Sequence, residues 1–144
     1  MTAIIEETIN ESPLFKHIGD EWKQRLVESA QLRAFEGGEV IIEEGQQAES
    51  LFIVVRGRVR VWTESDGRQV ELKTLGQGAY FGEVSLLSGK EATATVEAKT
   101  DDVTTVALDR SVLLELFGED DKVRRMLEGV TLARAKDTIG KVLK

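Results

Sequence analysis

Apolar positions change their spacing twice along the chain. Ile4, Ile5, Thr8 and Ile9 recur at i, i+1, i+4 and i+5, which predicts a short amphipathic helix ending at Asn10-Glu11-Ser12-Pro13. Asp20 reads as the N-cap of a second helix with Trp22, Leu26, Val27 and Ala30 on its apolar face. From Val40 the period shortens. Val40-Ile41-Ile42 is a brief apolar run, and residues 51–55 form a continuous β-branched and aromatic run, as in a strand buried on both faces. Arg58-Val59-Arg60-Val61 alternates strictly, Asp66-Gly67 is a hairpin signal, and Val70 and Leu72 alternate with polar neighbours beyond it. Ala92, Ala94, Val96 and Ala98 alternate again, and residues 103–108 read as the last strand.

After that strand the helical period returns. Asp109 is placed to cap a helix carrying Val112, Leu113, Leu116 and Phe117 on one face, with Gly118 as its stop. A longer helix from about Asp120 puts Val123, Met126, Leu127, Val130 and Ala133 on one stripe. Gly129 and Gly140 fall inside it, either weakening the helix or allowing close packing. Nine of the 13 glycines lie between Gly37 and Gly89, so turns concentrate in the β-patterned centre. About seven or eight short strands at this spacing predict an α+β fold, an antiparallel β-roll or jelly-roll barrel flanked by N-terminal helices and two C-terminal helices. Residues 1–19 read as an N-terminal helical segment and 20–144 as the main domain.

Composition narrows the chemistry. The 144 residues carry a net charge of −7, which opposes broad contact with nucleic-acid phosphates. With no cysteine and His17 as the lone histidine, thiolate metal sites, multi-histidine sites and Ser-His-Asp catalysis lack material. No apolar run approaches the roughly 20 residues of a membrane-spanning helix, and the N-terminus lacks a basic leader. The expectation is a cytoplasmic, non-enzymatic domain with no metal, no cofactor, no membrane span and no direct nucleic-acid partner. The apolar stripe of the last helix offers a surface for a homodimer. Arg56, Arg58 and Arg60 read as a solvated face with local carboxylate partners, and Trp22 and Trp62 as packing residues.

The informative stretch is Gly76-Gln77-Gly78-Ala79-Tyr80-Phe81-Gly82-Glu83-Val84-Ser85-Leu86-Leu87-Ser88-Gly89. A short helix beginning near Gly82 leaves its first amides without intrahelical partners, an arrangement that favours an anion. Glu83 repels a phosphate but accepts from a hydroxyl, so together the two suit a ligand carrying both, such as a ribose phosphate. The competing reading is a Gly-rich turn with a solvated glutamate.

Phe81-Gly82-Glu83-Val84-Ser85-Leu86-Leu87, followed by Ala94-Thr95-Val96, resembles the phosphate-binding cassette of cyclic nucleotide-binding domains, found in the catabolite activator protein, cAMP-dependent kinase regulatory subunits and cyclic nucleotide-gated channels. Pro13-Leu14-Phe15, Gly38-Glu39-Val40-Ile41, Glu44-Gly45 and Leu51-Phe52-Ile53-Val54 leading to Gly57 extend the resemblance over roughly residues 12 to 140. It implies a ligand-sensing module for cAMP or cGMP, with a degenerate, non-binding interaction domain as the alternative. Family transcription regulators carry a further DNA-binding domain, which makes a fragment of such a protein a third reading. By the resemblance, Glu83 accepts the ribose 2′-hydroxyl and the backbone around Gly82, Glu83, Val84 and Ser85 meets the cyclic phosphate. Thr93 and Ala94 follow the arginine position, and Thr93 offers a hydroxyl to the phosphate or a guanine amino group. Val70, Leu72 and Val96 form the wall near the base, and the helix from Asp120 acts as a lid.

One departure stands out. The family's Pro-Arg pair reads Glu91-Ala92 here. Loss of a charge-assisted hydrogen bond of roughly 1.5–3 kcal/mol predicts about tenfold to hundredfold weaker binding of a cyclic phosphate. Glu91 pushes the same way, and Lys90 is the nearby cation with which the sequence offers compensation. The departure leaves three readings: weak cyclic-nucleotide binding, a different occupant, or an introduced alanine, against which Glu91 argues because a single change would have kept the proline.

Overall fold

The computed structural model describes residues 2–142. Helices α1 (Thr2–Glu11) and α2 (Asp20–Ser29) precede eight strands: β1 (Gln31–Phe35), β2 (Val40–Ile42), β3 (Ser50–Arg56), β4 (Val59–Ser65), β5 (Arg68–Leu75), β6 (Tyr80–Phe81), β7 (Thr95–Ala98) and β8 (Val103–Asp109). Helix α3 (Glu83–Ser88) interrupts the strands, and α4 (Arg110–Glu119) and α5 (Asp121–Val142) close the chain. Two four-stranded antiparallel sheets, ordered β1-β8-β3-β6 and β2-β7-β4-β5, make the β-roll. Asp66 and Gly67 both take positive φ in the β4–β5 hairpin, as the Asp-Gly signal requires.

Strand β3 is buried on both faces because it lies between two cores. Leu51 and Ile53 face the helices, packing with Ile9, Phe15, Leu26, Leu113 and Leu127. Phe52 and Val54 face the inside of the roll, with Phe35, Phe81, Val96 and Val103. Residues of segment 1–19, including Ile5, Ile9, Leu14, Phe15 and Ile18, share the helix-side core with the rest of the chain.

Several helix details differ from the sequence expectation. Gly19, not Asp20, is the N-cap of α2, and Asp20 is the first helical residue, where its charge still complements the helix dipole. Asp109 caps α4 by accepting from Ser111 N at 2.7 Å. That helix runs through Gly118 and ends at Asp120, whose N–H bonds Leu116 O, because nothing at Gly118 forces a left-handed turn. The apolar stripe of α5 is buried only at Val123 and Leu127; Met126 is 43% exposed and Ala133 is exposed, while the Val130 side chain lies outside those described. A Cβ added at Gly129 or Gly140 would meet nothing within 4 Å, which removes the close-packing reading of these glycines.

Candidate functional site

The site begins at a stacked pair. Phe81 lies against Phe52 with ring centroids 5.1 Å apart and planes 10° from parallel, and their backbones are paired across β3 and β6. This fixes where the chain leaves the sheet. The next residue, Gly82, caps α3 with φ +96°, and a Cβ built there would stand 2.7 Å from Ser50 O. Only glycine satisfies both the left-handed backbone and that close approach. Glu83 then opens α3, whose first-turn N–H groups have no partner four residues back within the helix.

Glu83 points inward and is 2% exposed. A buried carboxylate needs a charged or hydrogen-bonded partner, and Arg134 of α5 supplies it. One guanidinium nitrogen of Arg134 donates to Glu83 Oε1; the other donates to Tyr80 O at 2.8 Å. The guanidinium also lies 5.5 Å from the Tyr80 ring centroid. Burial raises the Tyr80 hydroxyl above its usual pKa, Arg134 works against that rise and Glu83 adds to it.

The opposite rim is tied by backbone and by Ser85. Ser85 Oγ accepts from Ala48 N at 2.9 Å and donates to Lys90 O at 2.6 Å, so this hydroxyl joins the segments before and after α3. Ala92 N donates to Gln46 O at 2.7 Å, and Gly45 N donates to Ala92 O at 2.9 Å. Residue 92 is thereby held on the cavity wall, but its methyl group has nothing to donate. Thr95 is buried; its Oγ1 accepts from Glu44 N, and Glu44 in turn accepts from Thr63, so this rim is satisfied internally.

Between these rims lies a cavity of about 90 Å³ under α5. Gly82, Glu83, Ser85, Ala92, Thr93 and Ala94 line it, as do Leu72 and Val96. Val84 lies in α3 between Glu83 and Ser85, and its side chain is outside those described. Val70 is not a lining residue. It pairs with Thr63 one side-chain step closer to the hairpin than Leu72, about 7 Å along the strand. Lys90, the cation named as compensation for the missing arginine, is exposed and, with Glu91, lines a surface depression that shares Ala92 and Thr93 with the cavity. Among the described residues, the cations that line the cavity are Lys73 and Arg134. Sequence reasoning missed Arg134, yet a signal existed. Leu127, Arg134 and Lys141 are spaced by seven, so the apolar stripe continues as two cations on one face.

Residues 32–120 match the cyclic nucleotide-binding domain family. The chain belongs to that family. Among curated relatives, it is 28% identical over 126 residues to mouse cGMP-dependent protein kinase 2, covering 86% of this chain and 16% of the kinase. It is 30% identical over 142 residues to the cAMP-dependent protein kinase regulatory subunit of Mycosarcoma maydis, covering 96% of this chain and 26% of that subunit. The chain therefore spans about a quarter or less of these relatives' lengths. Among solved structures, the regulatory subunit of a cAMP-independent protein kinase A from Trypanosoma brucei aligns with TM-score 0.81 and 26% identity, over 91% of this chain and 47% of that one. The β-roll with its flanking helices is the fold this chain shares with that structure. Among the described residues, no helix is long and apolar enough to cross a membrane, and no cluster of three or more His, Cys, Asp or Glu stands ready for a metal.

Elsewhere, the arginine stripe is internally partnered in part: Arg60 pairs with Glu71 at 3.3 Å and Glu97 at 2.9 Å, while Arg56 and Arg58 are exposed. Trp22 donates to Glu119 and Trp62 to Glu97, and both rings are half-buried.

Proposed function

We propose that this domain is a sensor that binds a cyclic nucleotide, cAMP or cGMP, in the cavity beneath α5, and reports occupancy by moving that helix. The supporting observation is Glu83: a carboxylate buried beside a glycine turn is costly unless it has polar work to do. Its two oxygens offer about four acceptor positions, enough for both a guanidinium and a sugar hydroxyl. The ribose 2′-hydroxyl donates to Glu83, the phosphate lies against the backbone at 82–85, and Leu72 and Val96 face the base. The names of the mouse and Mycosarcoma maydis relatives carry both cGMP and cAMP, and this chain shares the family with them. At about 90 Å³ the cavity is below the roughly 300–1,000 Å³ of small-molecule sites, so admission of a nucleotide requires α5 to shift. A ligand that binds the shifted arrangement better moves the population toward it.

Ala92 supports a weak sensor, with affinity about tenfold to hundredfold below that of a domain carrying arginine there. Isothermal titration of cAMP and cGMP into folded protein tests the reading. Heat that saturates at micromolar to millimolar ligand is expected; none at millimolar ligand rejects it. The same Ala92, together with a relative described as cAMP-independent, favours the second reading, an interaction module whose cavity is not used for a cyclic nucleotide. Under that reading the titration is silent.

A further inference from the structure

We infer that Arg134, carried on α5, is the guanidinium that meets the ligand's phosphate in this domain, in place of the arginine absent at Ala92. The inference rests on the nucleotide-binding reading above. A phosphate bound beside residues 82–85 lies next to the Glu83 carboxylate, and two neighbouring anions in a partly desolvated cavity repel strongly. The wall at position 92 contributes a methyl group. Arg134 is already inside the cavity, donating to Glu83 Oε1 and to Tyr80 O, with its side chain 23% exposed. A planar guanidinium suits bridging a carboxylate and a phosphate, because its donors fan out in one plane. Lys73, the other cation lining the cavity among the described residues, is an exposed point charge on β5. Because Arg134 belongs to α5 and not to the roll, phosphate recognition and lid position are set by one side chain. A ligand lacking the phosphate gains nothing from it.

The test compares a charged ligand with its neutral counterpart: cAMP against adenosine, and cGMP against guanosine, by calorimetry at fixed ionic strength. Wild type binds the cyclic nucleotide more tightly than the nucleoside. Arg134→Gln weakens the cyclic nucleotide at least tenfold and leaves the nucleoside within threefold. Adding Ala92→Arg to Arg134→Gln restores the loss, since a guanidinium returns to the same cavity from the wall. Arg134→Lys, which keeps a cation beside Glu83 if the glutamine variant folds poorly, loses threefold to tenfold. If wild type binds the cyclic nucleotide and Arg134→Gln leaves that affinity within twofold or tightens it, Arg134 is a plug and this inference fails alone. If wild type binds no cyclic nucleotide, the sensor reading fails and takes this one with it.

Discussion

The two sides of the cavity are built by different physics. The wall is held by backbone and by packing: Gly82 against Ser50 O, Phe81 on Phe52, Leu86 in the core, and the paired backbones of residues 45–46 and 92. Its groups have one arrangement available, and moving any of them disturbs a close-packed neighbour. The lid begins the same way, with Val123 and Leu127 buried, but its apolar anchoring stops there among the described residues. Beyond Leu127 polar contacts tie it to the roll, Arg134 to Glu83 and Tyr80 O, and Lys141 to Leu72 O. Polar ties can be exchanged for ligand or water, which offer replacement hydrogen bonds, whereas a close-packed apolar contact has no such substitute. In the proposed sensor, the binding wall and the movable lid are thus separated by which interactions hold each one.

The sharpest way to break this contrast is to cut one apolar side chain from each side. Leu86, 1% exposed in α3, is expected to lose about 2–5 kcal/mol of global stability as Leu86→Ala, read from denaturant unfolding. Met126→Ala on α5, at a residue 43% exposed, is expected to stay within about 0.5 kcal/mol. Equal losses would erase the distinction. Next in size is Gly82→Ala. The left-handed backbone alone costs roughly 1–3 kcal/mol, and the new methyl group meets a carbonyl that cannot swing away. Stability falls and cyclic-nucleotide binding is lost with it; unchanged binding would mean that the turn at 82 does not shape the site.

Most of the wall is legible in the amino-acid sequence, because its residues obey local rules. The continuous run at 51–55, the Asp-Gly hairpin and the Gly82-Glu83 turn each leave a signature within a few residues. Strand β1 leaves almost none: of Gln31–Phe35 only Phe35 is buried, so an edge strand with polar positions reads as loop. Strand β6 is two residues long and exists through its pairing with Phe52 and Ile53, a non-local contact. Alternation groups Val70 with Leu72, which gives the face but not how far along the strand the cavity reaches. Arg134 illustrates the harder limit. Its spacing from Leu127 places it on the inward face, yet no local pattern says that Glu83, 51 residues earlier, waits there.

Ala92→Arg sharpens the comparison from the wall side. Residue 92 is already fixed by backbone bonds to Gln46 and Gly45, so a longer side chain there starts from a rigid base. The expected gain for cAMP or cGMP is about tenfold to hundredfold, from a charge-assisted bond of roughly 1.5–3 kcal/mol. Calorimetry reads it directly. Because Arg134 is retained in this single variant, a gain at the lower end is expected if both guanidinium groups share one phosphate. No gain at all would mean that the cavity rejects cyclic phosphates for a reason other than the missing arginine.

The smallest effect is the most informative about the lid. Lys141 Nζ donates to Leu72 O, joining the last turn of α5 to the strand beneath it. Removing it as Lys141→Ala takes away a bond worth about 0.5–1.5 kcal/mol, but from a stretch of α5 in which no described residue after Leu127 is buried. Amide exchange across residues 134–142 should therefore rise about threefold to tenfold, while the midpoint of global unfolding barely moves. Adding a saturating cyclic nucleotide should bring that exchange back down, since the ligand holds α5 through Arg134 and not through Lys141. A global destabilisation as large as that of Leu86→Ala would instead place the end of α5 within the cooperative core, where a ligand has no separate lid to move.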